Sequence, residues 1–253
     1  MRRIGTVHLN VKDLSKQLAF YQNVLGMQQL DEKDNTVTLG APDLPLVTLH
    51  HTPDAQRVRG AGLYHFAVLL PSRADLGQFI QHIAEKKIPV QGASDHHVSE
   101  ALYMADPEGN GIEIYRDRPE QDWGQNGQIE MTTARMDVEG VLRAAHSEPF
   151  TGLPAGTIMG HIHLHASNVP EAARFYLDSL KMEHIVDYPG AQFVSYDHYH
   201  HHVAVNSWAG QGVAAHPESL GLRSYGLFTD ALPAGTTTDP SGIVLNIKPL
   251  SLN

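Results

Sequence analysis

IGTVHLNVKDLSKQLAFYQNVLGM (residues 4–27) returns at a constant offset of 155 as MGHIHLHASNVPEAARFYLDSLKM (residues 159–182). His8 falls on His163, Phe20 and Tyr21 on Phe175 and Tyr176, and Leu25 on Leu180. A register held without a gap over this length marks an internal duplication, and the repeat has to be read before any single element is assigned. A weaker pair lies outside it. GLYHFAVLLP (62–71) matches GLRSYGLFTD (221–230) at offset 159, and DPEGNGIEIY (106–115) matches DPSGIVLNIK (239–248) at offset 133. The two offsets differ by 26 residues, so the last copy has lost a segment. The lost segment corresponds to PSRADLGQFIQHIAEKKIPV (71–90), where Leu76, Phe79, Ile80 and Ile83 recur with helical spacing.

Each complete copy reads alike. A short strand (VHLNV, YHFAVLL or HIHLHA) precedes a helix (13–24, 73–86 or 170–180), and strands such as NTVTLG, LVTLHH and GIEIY follow. DPEGNG supplies the turn before the last strand, with Asp106, Pro107 and Gly109 as turn formers. The predicted class is α+β, with a βαβββ unit used four times and the fourth truncated. Units 1 and 2 are expected to fold together as an N-terminal domain, residues 1–118. Residues 119–156 read as a connector, in which Asp137 of DVEGVLRAA is a plausible N-cap for a short helix. Units 3 and 4 are expected to form a second domain over 157–253. Phe20 and Tyr21 read as core packing of a helix rather than as substrate contacts.

Composition narrows the function. The chain has 253 residues, enough for two domains each with a core, and 42% of them are apolar against 18% charged. A formal charge of −10 disfavours nucleic acid or an anionic membrane surface as partner, because both demand basic patches. The opening MRRIGTVHLNVKDL lacks an apolar core of signal-peptide length, and no run approaches the ~18 residues that span a bilayer, so a cytoplasmic protein is expected. With no cysteine, a metal would have to be held by His, Asp, Glu or backbone oxygen.

Paired βαβββ units, histidines in their first strands and SDHHVSEALYMADPEGNGIEIYRDRP (94–119) together resemble the vicinal oxygen chelate superfamily, and within it the catechol 2,3-dioxygenase-like two-domain extradiol enzymes. The resemblance implies two domains, each an open cup made by two units around a metal. It also implies an extradiol-type cleavage of a catechol-like aromatic with dioxygen. Strand alternation agrees with a metal site: His8 lies between Val7 and Leu9, and Glu113 between Ile112 and Ile114, each the polar member of an apolar strand. His65 alternates with Tyr64 and Phe66. A lone strand histidine is more often a core or surface residue than a ligand, but three candidates at matching repeat positions favour a 2-His-1-carboxylate site of His8, His65 and Glu113. Fe(II) is the expected metal and Mn(II) the next.

Ring cleavage also requires catechol to lose protons and a positioned acid to deliver one as the O–O bond breaks. The resemblance implies His50 as acid/base residue, Tyr103, ten residues before Glu113, as a contact to the substrate oxygen, and His96 in the loop, with His97 an alternative. Thr48 stands where glyoxalase-type members would carry a fourth, carboxylate ligand. In the C-terminal half Ser224 replaces His65 and Asn246 replaces Glu113, so that half is expected to carry no equivalent metal. His161, His163 and His165 share one face and could bind a second metal, while His200, His201 and His202 read first as a polar strand end, with adventitious metal binding or a place in an interface as the alternatives. A metal-dependent lyase or isomerase, with Zn(II) or Ni(II), is the alternative. A non-catalytic antibiotic-binding protein on the same fold is a third reading. Expected partners are a small aromatic and dioxygen, with a second copy of the chain favoured by an exposed sheet edge in unit 4.

Overall fold

The computed structural model describes residues 1–209 and 211–250. Unit 1 gives β1 (Arg3–Val11), α1 (Leu14–Asn23), β2 (Gln28–Lys33), β3 (Thr36–Ala41) and β4 (Leu44–His51). Unit 2 gives β5 (Gly62–Leu69), α2 (Arg73–Glu85), β6 (Gly92–Asp95), β7 (Ser99–Ala105) and β8 (Gly111–Asp117). The connector holds the short strands β9 (Gly124–Gln125), β10 (Gln128–Ile129) and β11 (Ala134–Arg135), then α3 (Val138–Ala144). Unit 3 gives β12 (Ile158–His165), α4 (Val169–Arg174) running into a π-turn (Phe175–Ser179), β13 (Glu183–Tyr188), β14 (Ala191–Ser195) and β15 (Val203–Asn206). Unit 4 is β16 (Gly221–Phe228), β17 (Gly235–Thr238) and β18 (Val244–Lys248), with no helix among the described residues.

The helices begin where side chains can satisfy their free N–H groups. Asp13 accepts from Lys16 N at 2.9 Å, Ser72 Oγ from Asp75 N at 3.2 Å, Asp137 from Gly140 N at 2.9 Å and Asn168 from Glu171 N at 3.3 Å. Within each unit the first strand pairs in parallel with the last: β1 with β4, β5 with β8, β12 with β15 and β16 with β18. That leaves the other edge of every first strand needing a partner.

The choice of partner overturns the division into halves. β1 pairs antiparallel with β16, and β5 pairs antiparallel with β12. One curled sheet therefore runs β17-β18-β16-β1-β4-β3-β2, joining units 1 and 4. The other runs β11-β6-β7-β8-β5-β12-β15-β14-β13, joining units 2 and 3 and recruiting a connector strand. The 1–118 and 157–253 segments are consecutive in the chain but not the partners in either sheet. All four first strands present similar edges, so nothing local in the sequence distinguishes the two pairings.

Consecutive units are linked by a different device. The buried Tyr21 hydroxyl on α1 donates to Asp106 in the unit 2 turn at 3.1 Å, and Tyr176 repeats this with Asp239 of unit 4 at 3.2 Å. Asp106 also accepts from the backbone N–H of Glu108 and Asn110, both at 2.9 Å, and Gly109 turns the chain with φ +82°. A single apolar core containing Leu9, Phe66, Ile162 and Tyr225 runs through all four units. Behind the second sheet, buried Glu100 accepts from Arg73 Nε at 2.8 Å and from the Arg116 guanidinium, pinning α2 to β7 and β8.

Candidate metal centre

Register across four adjacent strands builds the site. Tyr103 on β7 stands opposite Glu113 on β8, Glu113 beside Ala67 on β5, and Ala67 opposite His161 on β12. His65 lies two residues before Ala67 and so points to the same face. His65 Nε2 is 3.0 Å and His161 Nε2 3.1 Å from the same oxygen, Glu113 Oε2, and the ligand-capable atoms of the three residues all lie within 4.8 Å of one another. Among the described residues no other three His, Asp or Glu side chains converge in this way.

The electrostatics suit a cation. Burial alone would raise the Glu113 carboxyl, which is 3% exposed, but His161 and His65 hold it well below the usual carboxylate range. Burial lowers His161 to about 4 despite the opposing pull of Glu113, so this imidazole is neutral at pH 7. An ionised carboxylate and neutral imidazole are the protonation states that ligation requires. These residues therefore fit a divalent metal with an N2O donor set, and a cavity of about 430 Å³ opens onto His65 and Glu113.

Tyr103 and His96 also line this cavity. His96 Nδ1 donates to the Thr132 carbonyl at 2.8 Å, and Nε2 accepts from the Tyr103 hydroxyl at 2.6 Å. Burial, then Glu113, push the Tyr103 phenol well above its usual range and keep its proton in place. His97 is turned away: it is exposed, has φ +70°, and its backbone N–H donates to Asp95.

His8 and His50 lie elsewhere, a correction to the expected ligand and acid/base assignments. They belong to the first sheet, where His8 Nδ1 is 3.1 Å from His50 Nε2 and His8 stands opposite Ser224. Burial, then His50, lower His8 to about 4. Thr48 accompanies them, its hydroxyl 3.0 Å from that of Thr38, and Asn246 donates to Ser224 at 3.0 Å. The cause is the strand exchange: with β1 paired to β16, the unit 1 histidine is carried into the sheet whose other unit has lost its ligands. The expectation that unit 3 stands outside the site is corrected by the same fact, since His161 supplies the third corner.

Two site residues were not assigned to this centre from the sequence, although His161 was among the ligand-capable histidines of its strand. His161 aligns at offset 155 with Thr6, not with a histidine, so comparison of the repeats drew attention to His163 instead. His201 belongs to a run read as a polar strand end, yet His200, His201 and His202 are all buried. His201 lines the cavity with its ring centroid 4.0 Å from that of His161. His200 Nε2 is 2.8 Å from Asp117 Oδ1, and His200 Nδ1 is 2.8 Å from His201 Nδ1. A carboxylate accepts, so His200 Nε2 donates to Asp117; with His200 Nδ1 accepting from His201 Nδ1, His201 Nε2 is left with a free lone pair. The lone available signal was chemical: an unbroken HHH run with Asp117, its partner, far away in sequence.

A sheet of two βαβββ units with two histidines and a glutamate on its concave face defines a metal-binding class, and comparison with known proteins identifies the family. Residues 3–114 match the Glyoxalase/Bleomycin resistance protein/Dioxygenase superfamily. Over 238 residues the chain is 42% identical to Catechol-2,3-dioxygenase of Bacillus subtilis (strain 168), covering 91% of this chain and 82% of that protein. The chain belongs to this superfamily. Its fold is also that of cppA protein from Streptococcus pneumoniae TIGR4, with TM-score 0.61, 13% identity and 98% of each chain covered. Glyoxalase I from Zea mays superimposes with TM-score 0.59 at 14% identity, covering 98% of this chain and 92% of that one. No helix among the described residues is long and apolar enough to cross a membrane.

Proposed function

We propose that this protein is an extradiol-type ring-cleaving dioxygenase acting on catechol-like aromatics. The observation that carries the reading is the convergence of His65, Glu113 and His161, the first two lining a cavity that Tyr103, His96 and His201 also line. Similarity to Catechol-2,3-dioxygenase over most of the chain supports the same chemistry. His65, His161 and Glu113 would hold the metal, Fe(II) first and Mn(II) next. A bound Fe(II) would supply the redox chemistry that joins dioxygen to an aromatic ring, both oxygen atoms entering the ring-opened product.

The remaining residues handle protons and orientation. His201 Nε2, presented by the Asp117–His200 pair, would take a proton from a catechol hydroxyl and return it to the ring-opened product. The Tyr103 hydroxyl, held protonated and donating to His96, would accept from a substrate hydroxyl; His96, anchored by Thr132, fixes its direction. Three protein ligands leave positions for substrate, which favours a dioxygenase over the lyase alternative.

The test is anaerobic loading with Fe(II), then catechol and air. Wild type is expected to form the yellow ring-cleaved product with one iron per chain. His161→Ala and Glu113→Ala should lose both iron and product, whereas His8→Ala should retain them. Bound iron without cleavage across a broad catechol panel would overturn the proposal.

A further inference from the structure

The outer part of the cavity is unlike its floor. Phe193 on β14 lies with its ring centroid 5.6 Å from that of His163 and 5.0 Å from that of His201, so the apolar wall begins beside these two cavity-lining histidines. Val186 on β13 and Met131 of the connector pack against Phe193 and its neighbours. Trp208, just beyond β15, meets Tyr64 edge to face at 5.3 Å; both are more than 40% exposed and form the rim. At the same mouth Asp187 accepts from His184 at 3.1 Å and from Gln192 at 3.0 Å. Among the described residues no Lys or Arg lines the cavity.

Size and charge then bear on the ligand. A space of about 150 Å³ is enough for benzene, so one aromatic ring leaves most of the 430 Å³ unfilled. On the side of Val186, Phe193 and Trp208 what remains is apolar, so burial of an apolar group there is favourable, while Gln91, Thr132 and Thr133 contribute uncharged polar groups to the lining. A carboxylate placed there would lose hydration, meet no cationic partner and approach Asp187.

Resting on the extradiol reading above, we propose that the cavity selects uncharged catechols carrying an apolar ring substituent and discriminates against carboxylated ones, with Val186, Phe193 and Trp208 setting the preference. Val186 and Phe193 belong to unit 3 and Trp208 follows its last strand, whereas Glu113, His65 and Tyr103 come from unit 2. Substrate preference can therefore change through β13, β14 and the segment after β15 without disturbing the unit 2 ligands.

Anaerobic calorimetry on the Fe(II)-loaded protein, with catechol, tert-butylcatechol and protocatechuate as probes, measures binding separately from turnover. Tert-butylcatechol should bind at least about tenfold more tightly than protocatechuate, the scale of a well-matched apolar group. Trp208→Ala, at the exposed rim, should reduce the advantage of tert-butylcatechol over catechol. Val186→Lys should strengthen protocatechuate binding relative to catechol. Equal or tighter binding of protocatechuate by wild type would overturn the proposal, as would an unchanged ranking in both variants. Parallel kcat/KM measurements separate the two readings. The predicted binding order with no ring cleavage of any probe would sink the dioxygenase reading and leave this one standing; equal cleavage and equal binding of all three would do the reverse.

Discussion

The centre is built from ordinary residue types whose surroundings decide their protonation. Glu113 and Glu100 are both buried carboxylates on the same sheet, yet one is held by histidines that a metal can bridge and the other by arginines that cannot release it. Burial would raise Glu100, but its bonds to Arg73 and Arg116 prevail and lower it. A carboxyl lowered in the folded state adds stability that is present above its unfolded value and lost as pH falls through the carboxylate range. Glu100→Gln should therefore cost about 3–5 kcal/mol at pH 7, as breaking a buried pair does. The gap from wild type should narrow toward pH 4, which urea unfolding at the two pH values would show; a pH-independent gap would contradict this account. His201 gives the catalytic counterpart. His201→Asn is expected to keep its iron and lower kcat by roughly 10²–10⁴, while loss of iron would assign it to ligation instead.

At the level of elements, the repeated Phe-Tyr pair performs a task that periodicity alone does not show. Tyr21 packs in the core as expected, but its hydroxyl also holds the DPEGNG turn through Asp106. That turn leads into β8, the strand that carries Glu113. Tyr21→Phe leaves Asp106 with fewer donors in a buried place and should lower stability by about 1 kcal/mol, measurable by thermal unfolding of the metal-free protein. Tyr176→Phe, bonded to the turn of the ligand-free unit 4, should cost a similar amount of stability. Only the Tyr21 change is expected to weaken iron affinity as well.

The whole molecule depends on the exchange of partners between units. Residues 1–118 contain His65, Glu113, Tyr103 and His96 but neither His161 nor the strand that covers the edge of β5. Expressed alone, this segment should bind no stoichiometric iron and should self-associate through its open sheet edges. Co-expression with 119–253 should restore one iron per complex; stoichiometric iron on the isolated segment would show that His161 is dispensable.

The sequence by itself determined the repeated unit, its truncation in the fourth copy, the approximate helix positions with Asp137 as an N-cap, and the placing of His65, Glu113, Tyr103 and His96 on one unit. These follow from capping, alternation and turn chemistry, which act over a few residues and leave marks at fixed spacing. The tertiary structure alone decided that His161 completes the cluster, that His8 and His50 pair away from it, and that His201 faces the cavity. Each depends on which first strand lies beside β5, and β1 and β12 carry nearly the same alternation of apolar and polar residues. The choice between such edges is made by long-range packing of four units around one core, and no local pattern in the chain records it.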